Sequence, residues 1–441
     1  MISGAKQRLL SIAAILHLKI FGHEMSEDMR KFLGHLSWSF FGLMLYSVTM
    51  FILNITAGRI IGPVEYGKYN MVVAAANVLV CVMLLGFDNA SIKIISSESN
   101  HRRQFSFLST LSTIVFLSCL IIGTILLIEV KKIGHFFSIG PEIITLAIFL
   151  AFILSFKSLL GAFVRSFKFF RFEAVIKIIE AISAIAFFVI VIKFNKTFHL
   201  YYYALLFSGV IAISFYFSKV IKLFGKISRE FLAPIWHYQK INVGVLFAMT
   251  ITITIDKLML GRYAGDYQLG IYSAYITATN SIFAQLALIF NNVFLPYISN
   301  FTDKKFALKK IERLLKIFVL PIFVAIFAIA FVIMEIFGSK YPINFYYLLA
   351  FATLTIVNFI AIIYYSIVAS SEKILQSYSI YNYFQLFMIL AAYAYLIAGN
   401  RVNLVSVLAI TTVANVFDVL NSRFCILSSM KYAKNENVKT Q

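Results

Sequence analysis

Charge is scarce in this chain, and acid is scarcer than base: Asp, Glu, Lys and Arg make up 13% of its 441 residues, with 19 acidic side chains against 39 basic ones. Apolar residues are 61% of the total, with 46 Phe and 24 Tyr, more than a single water-soluble core could bury. The three cysteines, Cys81, Cys119 and Cys425, are scattered inside apolar runs. That pattern gives no metal-like spacing and makes them small packing residues that say nothing about redox. The seven histidines never pair at i, i+4, and the residues around them form no metal or acid–base cluster visible in the sequence. A phosphate-cradling G-x4-G-K-S/T loop is also missing, which argues against direct use of ATP. No cofactor and no enzymatic activity are expected.

Twelve apolar runs remain, each of the length of about 20 residues that crosses a hydrocarbon layer. They cover 36–58, 70–92, 105–128, 141–163, 176–194, 200–218, 241–260, 271–298, 314–337, 343–369, 376–398 and 402–427. The fold class is therefore an all-α polytopic membrane protein. Its organisation is an N-terminal segment 1–30, a first lobe 31–225, a second lobe 226–430 and a tail 431–441. With both termini cytoplasmic, 29 of the 39 Lys and Arg residues lie on the cytoplasmic side and 10 on the other, the asymmetry that sets orientation. The net charge of +20 then serves anchoring and attraction to anionic lipid, and a nucleic-acid partner is not expected. The patch from Leu9 to Ile20 lacks a small-residue cleavage site and reads as an interfacial amphipathic helix, with a start at Met25 as the alternative. The outer connections, at 59–69, 129–140, 195–199 and 399–401, are too short for a catalytic domain. A membrane glycan polymerase usually carries one large outer loop with Arg or His, and this chain has none.

One pattern occurs twice. Gly58-Arg59-x-x-Gly62-x4-Gly67-x-Tyr69 returns as Gly261-Arg262-x-x-Gly265-x4-Gly270-x-Tyr272, every position displaced by 203. Asn77, Phe87 and Asn89 likewise map onto Asn280, Phe290 and Asn292. Two similar halves joined head to tail, each with six spans, point to a transporter of two six-helix bundles related by a pseudo-twofold axis along the membrane normal. The four later glycines, Gly62, Gly67, Gly265 and Gly270, are expected to form tight turns on the outer side. Arg59 and Arg262 would cap helix C-termini or meet headgroups.

An ionised group at the membrane centre costs about 2.5–3.5 kcal/mol on insertion scales, so each one calls for a partner, a lumen or a function. Thr411, Asn415, Asp418 and Ser422 stack on one face of the last span, which should line a watery cavity or bond a neighbouring helix. Asn77, Cys81, Leu84 and Asp88 form a stripe on the second span, whose repeat mate has Asn280 and an uncharged Asn291. Asp256 and Lys257 are adjacent and project about 100° apart, so each needs its own partner. Asp88, Asp256 and Asp418, with Asn77, Asn280 and Asn415, are the candidates for ion coupling, expected to face the space between the lobes. Glu173 and Glu180 read as a local ion-pair ladder with Lys177. The fourth inner connection is dense in bases: Lys157, Arg165, Lys168, Arg171 and Lys177 interleave there with Phe163, Phe167, Phe169, Phe170 and Phe172. Arg165, Lys168, Arg171 and Lys177 fit either a diphosphate headgroup site or interfacial anchoring.

The stretch Gly58-Arg59-Ile60-Ile61-Gly62-Pro63-Val64-Glu65-Tyr66-Gly67-Lys68-Tyr69 resembles the R-x-L-G-P-x-E-Y-G-x-Y signature of the polysaccharide transporter family. That family sits in the superfamily of multidrug and toxin extruders and the bacterial lipid II flippase. Ile255 to Gly261 resembles the same family's D-K-L-x-L-G element. The resemblance implies a flippase for an undecaprenyl-diphosphate-linked oligosaccharide, of O-antigen or related repeat-unit type, in a bacterial inner membrane. It implies alternation between two V shapes, a cationic lumen and coupling to an ion gradient. Its partners would be membrane lipids, the lipid-linked oligosaccharide, a polysaccharide polymerase and a chain-length regulator. Most of this chain's bases sit at span edges, which departs from a strongly cationic lumen. A multidrug extruder of the same superfamily is the alternative, and a membrane glycan polymerase, which a long outer loop would revive, is the third reading.

Overall fold

The computed structural model describes residues 27–137, 139–194, 196–299 and 304–439. The expected N-terminal amphipathic segment and Met25 lie outside them. Helices account for nearly all of the described chain, the arrangement in which an apolar solvent leaves no backbone group unpaired. The first half comprises α1 (Glu27–Ile61), α2 (Pro63–Leu84), α3 (Phe87–Ser97), α4 (His101–Ile128), α5 (Val130–Phe137), α6 (Pro141–Ser166), α7 (Phe170–Val191) and α8 (His199–Val220). The second comprises α9 (Leu232–Tyr263), α10 (Asp266–Ser299), α11 (Lys304–Phe337), α12 (Phe345–Ala369), α13 (Glu372–Ala398) and α14 (Leu404–Lys439). Each of the twelve expected spans has its own long helix, although 70–92 runs past the end of α2 into α3. Eleven of these are long and apolar enough among the described residues to cross a membrane; α10, whose side chains are described only in part, carries the other.

The two halves pack by one scheme. In the first, α1 lies on α7, α2 on α4 and α6, α6 on α8, and α7 on α8. In the second, α9 lies on α13, α10 on α11 and α12, α12 on α14, and α13 on α14. The span stated as 70–92 divides, however. Leu85 (φ 50°) and Gly86 (φ 70°) both adopt the left-handed conformation and turn the chain from α2 into α3. The equivalent position in unbroken α10 is Ile289, a β-branched residue that resists that conformation. The tail continues α14 to Lys439. The connector between lobes is pinned to α4, where Thr110 Oγ1 accepts from the Ser228 backbone nitrogen at 3.0 Å.

The repeated glycines divide into two roles. Gly62 (φ 83°) and Gly265 (φ 87°) make the turns into α2 and α10, with Pro63 in the first helical turn where its missing N–H costs nothing. Gly67 and Gly270 instead lie inside those helices and let the lobes touch backbone to backbone. A Cβ on Gly67 would stand 1.9 Å from the Asp266 carbonyl oxygen, and one on Gly270 1.8 Å from that of Pro63. Residues 63 and 266 are themselves 203 apart, so the contact is reciprocal, as a twofold relation requires. The next positions of the motif repeat a second contact. Glu65 Oε2 accepts from the Phe198 nitrogen at 2.9 Å and Gln268 Oε1 from the Leu404 nitrogen at 3.0 Å, each serving the free N–H groups that open the last helix of a lobe.

Gly67→Ala and Gly270→Ala each place a methyl inside backbone, an overpacking of about 1–3 kcal/mol or more. Spin labels at the exposed, equivalent Val64 and Tyr267 should move apart in either variant, and an unchanged distance distribution would refute the contact. Glu65→Ala and Gln268→Ala should each lower stability by about 0.5–2 kcal/mol, the usual loss on deleting a helix-start acceptor, read as a fall in the thermal unfolding midpoint.

Candidate functional site

The polar residues of the second lobe converge on a cavity of about 180 Å³. Thr252, Asp256 and Lys257 reach it from α9, Asn280 from α10, Thr355 and Asn358 from α12, Tyr393 from α13, and Thr411 and Asn415 from α14. Three of the six ion-coupling candidates, Asp256, Asn280 and Asn415, therefore share one space, and it lies within the lobe instead of between the lobes. Asp256 is 6% exposed. Its Oδ2 accepts from Tyr272 Oη at 2.5 Å and its Oδ1 from the Lys257 backbone nitrogen at 2.8 Å. Asn280 Oδ1 accepts from Asn358 Nδ2 at 3.3 Å. Thr355 Oγ1, and Tyr393 Oη beside Thr411, are buried at the cavity wall with no hydrogen-bond partner among the described residues. Polar atoms of that kind are normally satisfied by water or a small polar ligand, and the space is large enough for either.

Tyr272 was not identified from the sequence as part of this site, although the repeat pointed to it. It ends the second copy of the motif, and its counterpart Tyr69 packs at a tilt of 38° against Tyr201, with ring centroids 4.5 Å apart. The position equivalent to Asp256 is Leu53, so only the second lobe gives the motif tyrosine a carboxylate. Asp256 stands about two turns inside the end of α9, deeper than its place at the close of the span 241–260 suggested.

The polar face of α14 has both of the properties expected of it. Thr411 and Asn415 line the cavity, while Asp418 Oδ1 accepts from Tyr378 Oη of α13 at 2.5 Å. Asp88 belongs to the first lobe, at the start of α3, where Ser158 Oγ of α6 donates to its Oδ2 at 3.0 Å. Asn77 is exposed on α2. The three aspartates are thus held by three different hydroxyl donors, each within its own lobe. Asn291 lies among residues whose side chains are not described.

The basic cluster splits. Lys168 (φ 60°) and Arg171 are exposed at the turn between α6 and α7. That turn folds Arg165 back onto Glu173, with Nη1 to Oε1 at 2.9 Å, so the ladder expected between Glu173 and Lys177 gives way to a pair across the turn. Lys177 and Lys157 both reach Glu180, at 3.1 and 2.7 Å, and Tyr46 Oη of α1 donates to the same carboxylate at 3.1 Å. Lys157 lies well inside α6, not in a connection. Its depth was the signal for an internal role, since an ionisable group there needs a named partner.

The sequence signature of a family described as polysaccharide biosynthesis protein matches residues 35–302, more than half of the chain. No curated protein matches it by sequence. Among solved structures, the lipid II flippase MurJ in an inward closed conformation superposes with a TM-score of 0.63 at 15% identity, covering 87% of each chain. A multidrug resistance MATE family transporter of the MOP superfamily, inward-facing, gives 0.60 at 15% identity over 89% of this chain and 99% of that one. A MOP superfamily transporter from Pyrococcus furiosus gives 0.52 at 14% identity over 90% and 93%. These likenesses show the fold, twelve long helices in two pseudo-symmetric bundles. Together with the family match, which includes the whole of the first repeat and the start of the second, they make the chain a multi-pass membrane protein that belongs to the polysaccharide biosynthesis protein family.

Proposed function

We propose that this protein is a flippase that carries an undecaprenyl-diphosphate-linked oligosaccharide, an O-antigen or related repeat unit, across a bacterial inner membrane by alternating access coupled to an ion gradient. The observation that carries the reading is the reciprocal contact of the two lobes through the repeated motif, which closes one end of the molecule with few bonds. Arg59 Nη1 donates to the Ile336 carbonyl in the last turn of α11 at 3.1 Å, and Tyr341 Oη to that of Gly58 at 2.8 Å. Tyr66 and Thr277 bond through their hydroxyls at 3.1 Å, and Lys340 Nζ donates to the Ile60 carbonyl at 3.4 Å.

The excess of Lys and Arg in the connections on the side of the termini supports an outer placement of the motif end, with both termini in the cytoplasm. The cavity around Asp256 is the proposed coupling site: a buried carboxylate beside unpartnered hydroxyls exchanges a small cation or proton at little structural cost. Asp88 and Asp418 are secondary candidates, each with a hydroxyl donor that can follow a change of charge. Lys168 and Arg171, exposed at the α6–α7 turn, are proposed to recruit the diphosphate headgroup, with Arg165 and Lys177 behind them. A polysaccharide polymerase and a chain-length regulator are the proposed protein partners.

The reading is tested in a bacterium lacking its own repeat-unit flippase. Expression should restore surface polysaccharide, and accumulation of the lipid-linked unit on the cytoplasmic leaflet despite normal insertion would reject it. Export of cationic drugs in the same cells would favour an extruder. Asp256→Asn should insert normally and lower export by about tenfold or more, the effect of losing one charge-assisted interaction of about 1.5–3 kcal/mol. Full export by Asp256→Asn, Asp88→Asn and Asp418→Asn alike would remove the coupling site. In a cysteine-free background, cysteines at Val64 and Tyr267 should both react with a membrane-impermeant thiol reagent added outside; protection of either contradicts the orientation.

A further inference from the structure

The buried face of α13 carries polar groups at a depth where each one is costly in lipid. Ile374, Tyr378, Asn382, Gln385, Ile389 and Tyr393 recur at helical spacing on that face, and none is more than 6% exposed. Two bonds join it to α14: Tyr378 Oη donates to Asp418 Oδ1 at 2.5 Å, and Gln385 Nε2 to the Ala414 carbonyl at 2.9 Å. Asn382 stands between those two on α13, so it is held in the same seam. Its Nδ2 is buried with no hydrogen-bond partner among the described residues, and such donors are normally met by water or a polar ligand. On α14, Thr411, Asn415, Asp418 and Ser422 carry the polar face over about 16 Å, from the Asp256 cavity toward the C-terminal end, the one proposed to be cytoplasmic. The cavity lining ends at Ile389, Ala414 and Asn415, with the Gln385–Ala414 bond as its floor. A row of hydroxyl, amide and carboxyl groups continues past that floor. It can pass a proton, whereas a hard metal cation needs about six oxygens around one point.

We propose that the α13–α14 seam is a proton path and that Asp418 is its inner relay, which takes protons from the cytoplasmic side and passes them to Asp256. This rests on the reading of the Asp256 cavity as the coupling site, and adds which ion uses it and by what route. Asp418 is half-buried and Asp256 is 6% exposed, so Asp418 is the acid more open to water. Its carboxylate accepts a proton from water while Tyr378 keeps its own. The proton then moves through water held by Asn382 and Asn415 to the Asp256 carboxylate, and Asp418 is left charged again. The groups around the relay suit this. Tyr378 of α13 and Tyr365 of α12, with ring centroids 5.5 Å apart, are neutral neighbours. Arg423, past Ser422, is balanced by Glu312 of α11 at 2.8 Å, and on the outer side α9 presents Asp256 beside Lys257. Among the described residues no cation pairs with Asp418, which leaves its carboxylate free to take a proton.

The test uses the purified full-length protein in proteoliposomes with the C-terminal face outward. Protonation of Asp256 is read as its carboxyl infrared band, identified by its loss in Asp256→Asn, after a laser flash releases a caged proton outside. The native band should rise after the flash. Asp418→Asn should slow that rise by about a hundredfold, the low end of what a positioned proton-transfer group contributes, and keep its final amplitude. Tyr378→Phe should slow it by about tenfold, the loss of one hydrogen bond to a charged group. Asn382→Leu should slow it as well, by drying the seam while leaving both acids in place, and Asp418→Glu should recover the native rate. Native rates in Asp418→Asn and Tyr378→Phe overturn the path and leave the seam as helix packing. A band that ignores the proton and shifts on addition of sodium also overturns it, while keeping the coupling site. A band that responds to neither rejects the coupling site and the path together. No glycan is used, so each of these results is separate from the cargo assignment, which export in cells reads.

Discussion

The structure depends on a backbone contact that only glycine permits. Gly67 lies against the Asp266 carbonyl and Gly270 against that of Pro63, and no side chain can be inserted at either place without moving a lobe. With the backbones this close, Tyr66 is driven between the lobes, fully buried and bonded to Asn54 on one side and Thr277 on the other. Phe337 and Tyr341 close over it, with ring centroids 5.8 and 6.4 Å away. Arg59 then reaches the end of α11, where the unpaired carbonyls of the last turn favour a cation.

A shared framework carries different chemistry in the two lobes. The helix packing of the first half repeats in the second, yet the buried carboxylates of the first, Glu173 and Glu180, are paired with Arg165 and with Lys157 and Lys177, whereas Asp256 and the half-buried Asp418 of the second accept from tyrosine hydroxyls. The repeat shows where the lobes diverged. Leu53 stands where the second lobe has Asp256, and the left-handed Gly86 stands where it has Ile289. The first substitution puts a carboxylate beside a motif tyrosine, and the second lets α3 turn away from the line of α2 and bring Asp88 to Ser158 of α6.

The membrane spans were legible because a run of about 20 apolar residues has few other uses, and the pairing of the lobes was legible because the interval of 203 recurs. What the glycines do was only half legible. Gly62 and Gly265 act as turns through their own φ, a local property, whereas Gly67 and Gly270 act on a partner 203 residues away in sequence. The partners of the buried acids were hidden for the same reason. Tyr272 lies 16 residues from Asp256 and Tyr378 40 residues from Asp418, on neighbouring helices whose rotation no periodicity specifies. The ladder of Glu173 with Lys177 was misplaced because helical spacing took no account of the left-handed Lys168, which turns Arg165 toward Glu173.

Polar groups satisfied inside each lobe make the boundary between lobes cheap to break. Asp256, Asp418, Asp88 and Glu180 all have their hydrogen-bond partners in their own half, so moving one lobe against the other strands none of them. The four side-chain bonds that cross at the motif end contribute about 4 kcal/mol together, at about 1 kcal/mol each. A shift from 1:99 to 99:1 between two arrangements needs about 5.5 kcal/mol of differential binding. The proposed alternation therefore requires a cargo or ion that favours the other arrangement by only a few kcal/mol, comparable to one or two charge-assisted bonds in a buried site. Had any of the internal carboxylates taken its partner from the opposite lobe, separation would have left an uncompensated buried charge, at about 3–5 kcal/mol for that group alone. In the proposed alternation, segregating the ions within lobes is what would let a contact made of glycine backbone open and close.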